Sequence, residues 1–71
     1  MESAQRGTVK FFHDGKGWGF IERQGRADIF VHYADIVGGG HRTLVKGDAV
    51  QFDVVRGEKG EKAVNVVRLD R

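Results

Sequence analysis

The sequence predicts an all-β fold in which five short antiparallel strands close into one small barrel. Two features of the pattern carry this expectation. Five β-rich runs of ordinary strand length recur along the chain, and the glycines fall between the runs and not inside one flexible tract. Within the runs, apolar and polar residues alternate with a period of two, the mark of strands with one buried face. Size points the same way. With 71 residues and no cysteine the chain has a thin core and no disulfide to reinforce it, and a closed barrel supplies one compact interior. Residues 1–71 are therefore expected to form a single domain with its core at about 6–69.

The first strand is placed at Arg6 to His13, after a frayed Met1 to Gln5. Its adjacent Phe11 and Phe12 cannot both face one way in a regular strand, so a bulge is expected there. Asp14-Gly15-Lys16-Gly17 turns the chain into a second strand, Trp18 to Arg23, and Gln24-Gly25-Arg26 turns it into a third, Asp28 to His32. A surface loop follows from Tyr33 to Gly47, opened by a helical turn at Ala34 to Val37 and containing the triplet Gly38-Gly39-Gly40. The fourth strand, Asp48 to Arg56, and the fifth, Lys62 to Leu69, are joined by Gly57-Glu58-Lys59-Gly60. Alternation then selects Val9, Ile21, Ile29, Val31, Val50, Phe52, Val54, Val64 and Val66 as the core. Trp18, Phe20 and Phe30 fall on the opposite face, among Glu22, Asp28 and His32.

Core packing is the ordinary fate of three aromatics in a small β domain. Here, however, burying them would expose Ile21, Ile29 and Val31, so parity assigns the rings to the surface. The segment Lys16-Gly17-Trp18-Gly19-Phe20-Ile21 runs basic, Gly, aromatic, Gly, aromatic, aliphatic, the opening of the RNP1 signature of nucleic-acid-binding sheets. Rings two apart on one face offer neighbouring π surfaces, Gly19 between them leaves them uncrowded, and Lys16 at the strand entrance can meet a phosphate. Phe30 and His32 repeat the spacing on the next strand, giving one platform across which a splayed single strand could lie.

Other classes fit less well. His13, His32 and His41 lack metal-ligand spacing, there is no thiol, and no paired-carboxylate or Ser-His arrangement is legible, which argues against an enzyme. A peptide-binding barrel of the SH3 or Tudor type also displays aromatics, but it gives no account of the paired ring spacing beside Lys16. The net charge of +2, with a pI of about 9.3, is only a weak pointer to an anionic partner. Arg6, Arg23, Arg26, Arg56 and Arg68 read as solvated surface. Met1 to Arg6 holds no apolar signal segment and no long apolar run follows, so a soluble cytoplasmic protein without membrane contact is expected.

The motifs "KGWGFIER" (Lys16 to Arg23) and "DIFVHY" (Asp28 to Tyr33), supported by "GTVKFF" (Gly7 to Phe12) and "AVNV" (Ala63 to Val66), resemble the cold shock domain of bacterial cold shock proteins and Y-box proteins. The resemblance spans about Arg6 to Arg68. It implies a five-stranded antiparallel OB-type barrel that binds unpaired RNA and DNA with modest preference, often for pyrimidines. It further implies an RNA chaperone that keeps transcripts unstructured and so affects transcription or translation, a monomer with no cofactor and no small-molecule substrate. Carried over residue by residue, the binding surface is Lys10, Phe11, His13, Lys16, Trp18, Phe20, Asp28, Phe30, His32, Tyr33 and His41, with Lys59 and Lys62 at its margin. The chain departs from the family pattern at several places. Phe11 stands where Trp is common, Trp18 where Phe or Tyr is usual, His13 for a frequent Asn, His41 for a Phe, and Glu61 for a Pro near the last strand.

Overall fold

A computed structural model describes the backbone of residues 2–4 and all atoms of residues 5–38 and 43–69. The described elements are β1 (Glu2–His13), β2 (Trp18–Glu22), β3 (Ile29–His32), a 3-10 turn (Tyr33–Asp35), β4 (Ala49–Gly57) and β5 (Gly60–Arg68). They close into a barrel in the order β1-β2-β3-β5-β4. The long β1 makes closure possible, because its first half pairs with β4 and its second half with β2, Thr8 facing both Ala49 and Glu22. No described helix is long and apolar enough to cross a membrane.

Four of the pairings are antiparallel, as expected; the β3–β5 seam is parallel, with Phe30 opposite Lys62 and Val31 opposite Ala63. The long connection after β3 reverses the chain before β4, so β5 returns along β3 in the same direction. The N-terminal residues also differ from expectation. Glu2 to Gln5 extend β1 along β4, with Glu2 opposite Val54 and Gln5 opposite Phe52. Backbone ladder bonds hold this stretch, and such bonds leave no apolar pattern in a sequence.

Val9, Ile21, Ile29, Val31, Val50, Phe52, Val54 and Val66 fill the interior as the alternation requires. Ala63, Ile36 and Leu44 join them, the last two from the long connection. Val64 is a correction, being only half-buried. Asn65 adopts a positive φ of 52°, and the β4–β5 register slips between Gln51 and Asp53. One extra residue in β5 therefore turns both Ala63 and Val66 inward and takes Val64 off the core. The Asn65 amide donates to Asp53 Oδ2 at 2.9 Å, anchoring the irregularity from outside.

The bulge expected in the first strand is present. Val9 faces Ile21 but Phe11 faces Phe20, so Lys10 is the extra residue. Phe12 then packs against the core while Phe11 stays 40% exposed. Arg23 is a second correction, since it is buried and not solvated. Its Nε donates to the Ala27 carbonyl at 2.9 Å, and a terminal nitrogen lies 3.1 Å from Glu61 Oε1. With its charge paired and its donors used, the guanidinium can close one end of the barrel beside Gln5.

Candidate nucleic-acid interface

The aromatic face is assembled by strand register. Across β2 and β3, Trp18 faces His32 and Phe20 faces Phe30, so the spacing of two in each strand becomes a block of rings. The Lys10 bulge adds a fifth ring by turning Phe11 outward against Trp18 and Phe20, at centroid distances of 5.6 and 5.7 Å. Trp18 and Phe30 lie nearly parallel, 27° apart at 6.2 Å, while Phe20 meets both edge-on at 90° and 75°. Edge-to-face packing fixes the rings against one another and leaves faces open to solvent. Trp18, Phe20 and Phe30 are all half-buried.

Gly19 has a different reason from the one its neighbours suggest. It points to the other side of β2 from the rings, and a Cβ there would collide with the Phe11 carbonyl and the Phe12 Cα. Its lone hydrogen admits the bulged backbone of β1, and so sets the position of Phe11. Gly17, at φ +73°, does comparable work at the strand entrance: a Cβ would stand 2.6 Å from the Tyr33 ring, and its carbonyl accepts from the Tyr33 N–H at 2.8 Å.

Both described histidines are tied to backbone. His13 Nδ1 accepts from the Lys16 N–H at 3.2 Å, and its ring stacks near Trp18 at 6.4 Å and 21°. His32 Nδ1 accepts from the Ala34 N–H at 3.2 Å, capping the 3-10 turn, and its ring meets Tyr33 at 4.7 Å. The structural role of His32 and its place beside the rings thus coexist. In each ring the remaining hydrogen of the neutral form sits on Nε2.

Among the charged residues, Lys10 reaches Asp28 at 2.9 Å, placing a cation and an anion at one end of the ring block. The hydrogen bond to Asp28, its charge and that of Glu22 together hold the Lys10 ammonium above its ordinary pKa. Lys62 borders Phe30 across the parallel seam and lies 3.8 Å from Asp35. Lys16 is exposed in the turn before β2, whereas Lys59 is exposed in the turn between β4 and β5, outside the ring-bearing strands. His41 lies outside the described residues.

Two contacts were not legible in the sequence. The Thr43 hydroxyl donates to Asp14, and the Thr43 carbonyl accepts from Arg68 at 3.3 Å. Together they tie the end of the long connection to the β1–β2 turn and to β5. Asp35, the partner of Lys62, was likewise unmarked. No spacing signal could reveal such pairs, because each joins residues far apart in the chain.

A small closed β-barrel that displays grouped rings and lysines on one outer face is built like the nucleic-acid-binding barrels. The comparisons place it more narrowly. Residues 5–69 match the 'Cold-shock' DNA-binding domain, and the chain belongs to that family, whose members are nucleic-acid-binding proteins and not enzymes. It is 51% identical over 65 residues to cold shock protein CspB of Bacillus caldolyticus, an alignment covering 92% of this chain and 98% of the relative. Over the same shares it is 49% identical to CspB of Geobacillus stearothermophilus and to CspA of Staphylococcus aureus. Among solved structures, the Drosophila Unr CSD456 chain superposes with a TM-score of 0.78 at 23% identity, covering 96% of this chain and 27% of that one. At that identity the likeness is one of fold.

Proposed function

We propose that this protein binds single-stranded RNA and DNA by stacking unpaired bases on the outer face of β1–β3, with low sequence specificity, and thereby acts as an RNA chaperone. The observation that carries the reading is the ring block itself. Phe11, Trp18, Phe20 and Phe30 are held in mutual contact while remaining partly open to solvent, which a domain with a small core has no packing reason to do. Base stacking on such rings contributes roughly 1 to 3 kcal/mol per base and tolerates any base.

The residues then divide the work. Phe11, Trp18, Phe20, Phe30 and His32 take bases, with Tyr33 and His13 extending the stack at the strand entrance. Lys16 and Lys62 meet phosphates, and the Lys10–Asp28 pair offers a donor and an acceptor to the edge of a stacked base. A base lying on a protein ring cannot also stack within a duplex, so binding draws on the unpaired population and shifts hairpins open by mass action, without ATP. The barrel acts as a monomer in the cytoplasm, where transcripts present such strands.

A hairpin labelled with a fluorophore and a quencher at its two ends tests this directly. Stoichiometric protein should raise the fluorescence of a marginally stable hairpin with no nucleotide cofactor, and Phe20→Ala with Phe30→Ala should abolish the rise. A hairpin that stays closed at saturating protein would refute the chaperone reading.

A further inference from the structure

We propose that Asp35 sets the affinity of the ring face by standing in for a nucleic-acid phosphate at Lys62, so that a bound strand gains this cation only by displacing the carboxylate. The inference rests on the stacking function proposed above and adds a residue that regulates it. Lys62 borders the platform, opposite Phe30 across the parallel seam, and Asp35 Oδ2 lies 3.8 Å from its ammonium. At that distance the two charges attract but share no hydrogen bond, so the ammonium keeps its donors for a closer acceptor.

The two ends of the pair differ in freedom. Asp35 closes the 3-10 turn that follows β3 directly. His32 Nδ1 caps the start of that turn by accepting from the Ala34 N–H at 3.2 Å, and at its end the Ile36 N–H donates to the Tyr33 carbonyl at 3.1 Å. Ile36 is then buried in the core and bridges to Val66 on β5. The carboxylate is therefore carried by a backbone fixed on both sides, whereas Lys62 is exposed and ends a flexible four-carbon stem. When a phosphate arrives, the lysine can swing and the aspartate stays. Lys10 is held more firmly, being hydrogen-bonded to Asp28 at 2.9 Å. A strand crossing Phe30 toward β5 thus meets a negative charge that is neutralised in the free protein and uncovered on binding. This keeps the contact at that edge weak and leaves the rings to dominate, which suits a chaperone that must release its strand.

Oligothymidine binding, followed by quenching of Trp18 at low and high salt, tests the exchange in a double-mutant cycle of Asp35 and Lys62. Asp35→Asn should tighten binding at low salt by about two- to fivefold, the scale of one partly exposed ion pair. The gain should fade as salt screens the charges. Asp35→Ala, which removes the carboxylate with a different shape, should reproduce the gain, and Asp35→Glu, which restores it, should bind like the unaltered protein. In a Lys62→Gln background the gain from Asp35→Asn should be markedly smaller, because there is no longer a cation to release. Saturable quenching in each variant also reports that the ring face is intact. No tightening from Asp35→Asn or Asp35→Ala, a gain equally large at high salt, or a gain undiminished by Lys62→Gln would overturn the role of Asp35. Failure of the unaltered protein to bind oligothymidine is a separate result, and would overturn the stacking function itself.

Discussion

The two faces of β2 and β3 are drawn from alternate residues of the same short strands, yet they follow opposite rules. Inward, Ile21, Ile29 and Val31 are at most 1% exposed. Outward, Trp18, Phe20 and Phe30, which carry more apolar surface than the aliphatics beneath them, are left half open. Exposed apolar area costs about 25 cal/mol per Å², so folding alone favours the reverse arrangement. The barrel interior explains part of the difference, because branched aliphatic side chains fill a narrow closed sheet where large planar rings would not. On the proposed function the rest is binding: the interior is chosen for shape, the outer face for π surface kept within reach of a base.

Truncations on the two faces should therefore separate stability from binding. Ile29→Ala should cost about 2 to 5 kcal/mol of unfolding free energy, read by denaturant titration, because it opens a cavity in a closed core. Phe20→Ala and Phe30→Ala should each lose roughly 1 to 3 kcal/mol of affinity for an oligonucleotide while unfolding near the original midpoint. Unfolded phenylalanine variants beside a stable Ile29→Ala would invert the assignment of the faces.

A parallel contrast holds between two arginines flanking the β2–β3 turn. Arg23 is buried with a carbonyl and a carboxylate as partners, whereas Arg26 is exposed. Arg23→Ala should lower stability by about 1 to 3 kcal/mol through the acceptors it leaves behind, and Arg26→Ala by much less. Equal effects in a chemical melt would show that the Arg23 contacts are solvated after all.

How much of this was legible in the sequence follows from what alternation can report. Where a strand is regular, as in β2, β3 and β4, residue parity assigned Ile21, Ile29, Val31, Val50, Phe52 and Val54 inward and the rings outward. Where an extra residue enters, parity breaks. At Lys10 the adjacent phenylalanines Phe11 and Phe12 made the break visible, but at Asn65 no such conflict marked it, and Val64 was placed inside in error. The ring block was legible as two spaced pairs plus Phe11 from family likeness, and register alone supplied their contacts. Arg23 was misread because its charge partner Glu61, on β5, becomes a neighbour only after closure. The parallel β3–β5 seam was hidden for the same reason.

The smallest expected effect concerns charge. Two to four phosphate contacts by the exposed lysines would give a slope of log K against log salt of roughly −1.4 to −2.8 for a single strand. A slope steeper than about −5 in the same units would require more phosphate contacts than such a face provides, and would move the account from rings to charge.

Trp18, the chain's only tryptophan, lies within the ring block, against Phe11, Phe20 and Phe30, so its emission reports on the proposed contact itself. Titration with single-stranded oligothymidine should quench that emission and saturate, while a blunt duplex containing the same strand should bind far more weakly because its bases are already stacked. Equal affinity for the duplex and the single strand would contradict base stacking on this face.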